Sequence, residues 1–170
     1  SGVCKVAPTT HVKGDAPVQT ASSGPASDWA SIMQAFFAAI TRAQKHIYIS
    51  TPYFLPNQAI LTALKVAALS GIDVRVLIPS RSDSKIVYWA TRSYSTELIE
   101  AGIKGYLYRK GFNHSKVITI DSSFSSVGTA NMDMRSLEDN FEVTAIMQDR
   151  NTARDNEGSL RDDLENSLQV

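Results

Sequence analysis

The chain has 170 residues, 43% of them hydrophobic, with 17 lysines and arginines balanced by 17 aspartates and glutamates. That length and apolar content suit one domain with a sizeable core, and the zero net charge excludes a global basic field drawing the chain to nucleic acid or anionic lipid. The single cysteine, Cys4, excludes an internal disulfide, and no apolar run approaches the length of a bilayer span.

The first residues, Ser-Gly rather than Met, are the start expected of a piece processed from a longer protein. Residues 1–16 are rich in Pro, Gly, Ser and Thr and read as a linker, with His11 a solvated linker histidine. A folded domain is expected over 17–170, opening on a short strand around Val18 to Ala21. Ser27 is placed to cap a helix whose core face holds Trp29, Ile32, Met33, Phe36, Phe37 and Ile40. HIYISTPYF reads as a strand opened by a structural His46 and ended by Pro52. Pro56 starts the next helix, which buries Ile60, Leu61 and Leu64 and closes at Gly71.

DVRVLIP is apolar enough to be a strand buried on both faces. A helix from about Asp83 to Ala101 follows, whose Tyr88, Trp89 and Tyr94 read as core contacts or as one wall of a pocket. GYLYR, KVITID, FSSVG and NFEVTAIM are strand-like, and the tail from Asn151 reads as a charged surface helix with Leu160, Leu164 and Leu168 facing in. Strands alternating with helices, then a hairpin-rich end, indicate an α/β fold: a mixed β-sheet flanked by helices on both faces.

The chemistry concentrates in GFNHSKVITIDSSFSSVGTANMD, residues 111–133. In a strand over KVITID, alternation puts His114, Lys116, Ile118 and Ile120 on one face and Ser115, Val117, Thr119 and Asp121 on the other. An imidazole, nucleophilic or acidic near neutral pH, then stands beside an ammonium that can stabilise anionic oxygens. The second strand returns to Gly128, whose bare backbone permits close approach to a ligand, and then to the hydroxyl of Thr129 and the amide of Asn131. Together these residues make a metal-free phosphate cradle, and phosphoryl transfer needs little beyond positioning and charge stabilisation. H-x-K alone is weak evidence, since a polar strand end carries it by chance; the full pattern H-x-K-x4-D-x6-G-T-x-N is far more demanding.

That pattern closely resembles the HKD motif of the phospholipase D superfamily, with Thr129 where the family's serine usually stands. STPYFLPNQAILTALKVAALSGIDVRVLIPSRSDSKIVYWATRSY and GTANMDMRSLEDNFEV look like the C-terminal half of bacterial cardiolipin synthases, and the resemblance runs from about residue 16 to the end. It implies a phospholipase D-like α-β-α sandwich. It also implies a phosphatidyltransferase that condenses two phosphatidylglycerols to cardiolipin and glycerol through a phosphohistidine. His114 becomes nucleophile or general acid, and Lys116, Thr129 and Asn131 hold the phosphate. Glu142 matches a family acid that orients the motif histidine; Asp121 and Gly128 are structural members of the motif.

The family pairs two HKD motifs in one site and this chain has one, because His11-Val-Lys13 is followed by no G-[ST]-x-N at the right distance. The resemblance therefore implies an N-terminal HKD half of the same protein, or a second copy, as partner. It implies attachment of the full-length protein to the cytoplasmic face of the cell membrane through a missing N-terminal segment. No cofactor or metal is expected, and the fragment alone is expected to be inactive as a monomer. Lys104, Arg109, Lys110 and Lys116, with no acid among them, are read as a local basic patch beside His114. The alternative is a phosphodiesterase or nuclease acting as a homodimer; the absence of a broad basic charge speaks against nucleic acid.

Overall fold

The computed structural model describes residues 16–25, 29–80 and 95–170. Cys4, the linker with His11, the Ser27 cap and Tyr88, Trp89 and Tyr94 lie outside the described residues.

Ten strands are described: β1 (Val18–Ser23), β2 (His46–Ser50), β3 (Phe54–Leu55), β4 (Asp73–Pro79), β5 (Lys104–Tyr108), β6 (Val117–Ile120), β7 (Phe124–Gly128), β8 (Met132–Asp133), β9 (Glu142–Met147) and β10 (Ser167–Gln169). Four α-helices accompany them: α1 (Ser31–Thr41), α2 (Gln58–Leu69), α3 (Ser95–Glu100) and α4 (Arg150–Glu165), with a π-helical turn at Arg135–Asp139. Eight strands form one sheet in the order β1-β9-β7-β6-β2-β4-β5-β10, and β3 and β8 pair separately. β2, β4 and β5 run parallel and every other pairing in the large sheet is antiparallel, so the sheet is mixed as expected.

Strand alternation divides the core in two. Ile47, Ile49, Val74, Val76, Ile118 and Ile120 face α1 and α2, which bring Ile32, Phe36, Ile40, Ile60, Leu61 and Leu64. Tyr48 and Leu77, one residue out of phase, face α4 through Leu160 and Leu164. β4 is buried on both sides because helices cover both.

Several expectations shift in detail. α1 begins at Ser31, so Trp29 precedes the helix and is 68% exposed; Phe37 turns away from the Ile32–Phe36–Ile40 stripe and is also exposed. Pro56 lies before the cap of α2: Asn57 is the cap, and its side chain accepts the Ile60 N–H at 3.0 Å. Gly71, at φ +88°, ends that helix in the left-handed conformation glycine tolerates. Leu168 does not continue the helical stripe. α4 stops at Glu165, and Leu168 pairs with Leu107 in β10, half exposed.

The β6–β7 hairpin turns through Asp121 and Ser122, both in the left-handed region, with Ser123 N–H bonded to the Ile120 carbonyl at 3.1 Å. This is type I′ geometry, whose twist matches that of the flanking strands, and aspartate is among the residues that adopt it most readily. The Asp121 carboxylate then receives the backbone N–H groups of Gln44, Lys45 and His46 at 2.8, 2.8 and 3.0 Å, clamping the hairpin tip to the start of β2.

Candidate active site

The register of the sheet assembles the site at one rim. β2 runs antiparallel to β6, so Ser50 pairs with Val117 and His114 and Lys116 arrive where β2, β4 and β5 end. β7 returns to the same rim at Gly128, and β9 starts there at Glu142. β8, which starts at the residue after Asn131, pairs with β3 just past the end of β2. Crevices outside the carboxyl ends of parallel strands are the usual ligand positions of open α/β sheets. The rim unites His114, Lys116, Thr129, Asn131 and Glu142; Asp121 sits at the opposite rim, four strand residues away.

His114 is exposed and stacks on Phe112, ring centroids 5.5 Å apart. Its ring nitrogens have no hydrogen-bond partner among the described residues. Lys116 is half-buried, and its Nζ donates to the His114 carbonyl at 2.8 Å. The ammonium is thus tied to the backbone of the histidine rather than simply standing beside its ring. Burial pushes the Lys116 amine below its ordinary value, while the negative charges of Glu142 and Asp133 partly oppose that. Asp133 was not singled out in the sequence, because nothing in its spacing indicates that β8 returns it to this rim.

Thr129 donates its hydroxyl proton to Glu142 Oε2 and accepts the Val143 N–H at 3.0 Å. The other Glu142 oxygen accepts from Asn140 Nδ2 at 3.4 Å. Glu142 therefore engages Thr129 and Asn140, and neither a hydrogen bond nor an ion pair joins it to the His114 ring. Asn131 Nδ2 donates to Ser136 Oγ at 3.2 Å, and its Oδ1 is buried without a partner. A cleft of about 610 Å³ opens beside Thr129 and Glu142, walled by Phe141 and Val143.

Gly128 is required by packing as well. A Cβ there would lie 2.5 Å from the Val143 carbonyl oxygen and 2.6 Å from Thr144 Cα, so the backbone of β9 already approaches it closely.

The expected basic patch loses Lys104, while Arg109 and Lys110 directly follow the end of β5 and are exposed. Lys104 opens β5 at the far rim, where its Nζ meets Asp73 at 2.7 Å beside Arg75. Burial would raise the Asp73 carboxyl, but hydrogen bonds from Arg75, Lys104 and Tyr48 outweigh it and hold the group at about 2. Parallel strand order puts the first residue of β5 a full strand length from His114, a separation that charge counting along the chain does not see. His46 belongs to the same far side: its Nε2 lies 3.0 Å from Glu157 Oε2, and its ring stacks on Tyr48.

The loop before β6 is held by its own polar groups. Asn113 Oδ1 accepts both the N–H, at 2.9 Å, and the hydroxyl of Ser115, while Asn113 Nδ2 donates to Asp163 at 3.3 Å. The Asn-x-Ser spacing is the available sequence signal for this turn. Ser115 Oγ lies 2.6 Å from Ser50 Oγ. The next residue, Thr51, donates to the Tyr53 carbonyl at 2.9 Å and accepts the Met132 N–H at 3.0 Å. No sequence signal announced Ser50 or Thr51, whose partners are 65 and 81 residues away.

Comparison with known proteins agrees with this architecture. A family model described as cardiolipin synthase, PLD-like domain, matches residues 36–163. A Bacillus cereus protein named cardiolipin synthase 2 is 50% identical over 161 residues, covering 94% of this chain and 31% of that protein. A Geobacillus thermodenitrificans cardiolipin synthase is 57% identical over 135 residues, 79% of this chain and 27% of its own length. The chain thus spans about a third of the length of these curated relatives. Among solved structures, the phospholipase D family member Nuc from Salmonella typhimurium superposes with a TM-score of 0.75 at 21% identity, over 91% of this chain and 97% of that one.

Proposed function

This chain belongs to the cardiolipin synthase PLD-like domain family, and from that premise we propose that it supplies one half of the active site of a phosphatidyltransferase. The reaction joins two phosphatidylglycerols into cardiolipin and releases glycerol. One observation carries the reading: His114, Lys116, Thr129 and Asn131 meet at a single rim, with the half-buried Lys116 ammonium among them.

In the first step an imidazole nitrogen attacks the phosphorus of one phosphatidylglycerol. The N–P bond forms as the bond from phosphorus to the glycerol oxygen breaks, and glycerol leaves with a proton from a second histidine. In the second step a hydroxyl of another phosphatidylglycerol attacks that phosphorus, gives its proton to the second histidine, and the N–P bond breaks. Lys116 and the Asn131 amide stabilise the charge gathering on the phosphoryl oxygens in both steps, and Thr129 joins them when its hydroxyl proton turns from Glu142 to the phosphate. His114 is one of the two histidines. The other comes from a second HKD segment, in the same full-length protein or in another copy. One imidazole cannot hold the phosphoryl group and also be a free acid for the leaving alcohol. No helix among the described residues is long and apolar enough to cross a membrane. We place attachment to the cytoplasmic face of the cell membrane in an N-terminal segment of the full-length protein.

The test is His114→Ala in the full-length protein, assayed with labelled phosphatidylglycerol. Loss of cardiolipin formation is expected, and undiminished formation would sink the assignment. Cleavage of nucleic acid by a dimer that leaves lipid untouched would replace it with the nuclease reading. The 170-residue chain, isolated as a monomer by sedimentation, is expected to make no cardiolipin.

A further inference from the structure

We propose that Ser50 and Thr51 are positioning residues that set the spacing between the two parts of the motif, H-x-K and G-T-x-N. The inference rests on the phosphatidyltransferase reading and adds to it a support built from the end of β2.

Both residues are almost fully buried, at 3% and 2% exposure. Consecutive side chains of extended chain point to opposite faces, so two adjacent hydroxyls can grip two separate segments. Ser50 takes the histidine loop. Asn113 Oδ1 can only accept, so Ser115 spends its one hydroxyl proton there, and the 2.6 Å contact must be donated by Ser50. The chain Ser50–Ser115–Asn113–Asp163 then runs from β2 beneath His114 to α4. Thr51 takes the other segment. Its oxygen accepts the N–H of Met132, the residue after Asn131, while its proton is fixed on the Tyr53 carbonyl.

Pro52 follows immediately and has no N–H, so β2 cannot extend and both hydroxyls sit at its last turn-out toward the rim. The Thr51 N–H is itself bonded to the Leu77 carbonyl of β4 at 3.1 Å, so the bracket is anchored in the centre of the sheet. His114 is exposed, and its ring stacks on Phe112 without a hydrogen bond among the described residues. Its placement therefore leans on its backbone, which the Lys116 ammonium holds at the His114 carbonyl and the Ser115–Asn113 turn holds from the next residue.

The experiment compares Ser50→Ala, Thr51→Val and Thr51→Ser with the native full-length protein on vesicles of phosphatidylglycerol. Specific activity is expressed per folded molecule, and single-turnover capture of labelled phosphoryl on the enzyme is followed. Ser50→Ala and Thr51→Val are expected to lower kcat and the capture rate about 10- to 100-fold, the scale of a misplacement near 1 Å, with KM little changed. Thr51→Ser, which keeps the hydroxyl, restores most of the rate. If Thr51→Val does not fold, Ser50→Ala and Ser115→Ala decide the matter. Native kcat per folded molecule, or a change confined to KM, in those variants overturns the bracket while an inactive His114→Ala leaves the phosphatidyltransferase reading standing. An active His114→Ala overturns that reading instead.

Discussion

Asp121 accepts the backbone N–H of His46 at 3.0 Å at the rim opposite Lys116. With the Gln44 and Lys45 bonds this makes one carboxylate the fastening between the hairpin tip and β2. Burial would raise its pKa, but the N–H groups of His46, Gln44 and Lys45 win and hold it below the ordinary carboxylate range. A depressed carboxylate gives stability that is fully present above its unfolded pKa and is lost as pH falls through the folded one. Asp121→Ala is therefore expected to cost about 2 kcal/mol near neutrality and to flatten the acid limb of stability. Urea denaturation at stepped pH measures both; an unchanged acid limb would count against the clamp.

Gly128→Ala is expected to be among the most damaging small substitutions in the chain. Its methyl group would meet backbone of β9 on a side where no rotamer change gives relief. Overpacking of this kind costs about 1–3 kcal/mol or more. Thermal denaturation of the variant should show a lowered Tm. A native Tm would mean that β7 and β9 can part without loss.

Lys116 links stability to chemistry with opposite signs. Because burial depresses its pKa, keeping it charged at neutral pH works against folding. Lys116→Met should leave the Tm unchanged or raised while turnover falls about 10²–10³-fold, as for loss of an oxyanion donor. A variant that loses stability along with activity would show that the ammonium is mainly structural.

Glu142 supports the charge of Lys116, so Glu142→Gln should depress the Lys116 pKa further. If turnover requires the ammonium, the alkaline limb of the pH–rate profile of the full-length enzyme moves to lower pH. A limb that stays in place would separate Glu142 from the function of Lys116.

Thr129→Ser keeps the oxygen that serves Glu142 and Val143 and should retain near-native turnover. Thr129→Val keeps the shape and removes that oxygen, leaving the Val143 N–H unpaired. A drop of about 10-fold or more is expected in a kcat measurement, the scale of one lost hydrogen bond to a charged group. Equal activity of the two variants would show that the hydroxyl has no part in the reaction.

The mixed sheet and its two helical layers were legible because they rest on periodicity: alternating Val and Ile in β2, β4 and β6, and the Ile32–Phe36–Ile40 stripe of α1. The short pairs β3–β8 and β5–β10 were not, since segments of two or three residues carry no period and are fixed by what they land against. Leu168 shows the same limit from the other side: its i+4 spacing from Leu164 imitates a helix that Asn166 has already ended. At the site, H-x-K and G-T-x-N could be read directly. The partners of Glu142, the Asp73 partner of Lys104 and the grip of Ser50 and Thr51 depend on strand order, which local sequence does not encode.

That strand order also governs assembly. Among the described strands, β1 pairs only with β9, and β2 pairs with β6 as well as β4. A ribosome working from the N-terminus releases β1 long before its partner exists. Until β9 emerges, β7 presents an open edge and Thr129 lacks the strand that fixes it. Non-local pairings of this kind are slow to close, and unpaired strand edges invite association with other chains. The phosphate-binding rim is thus one of the last parts of the molecule to become complete, and a nascent chain halted before Glu142 would be an aggregation risk with no chemistry to offer.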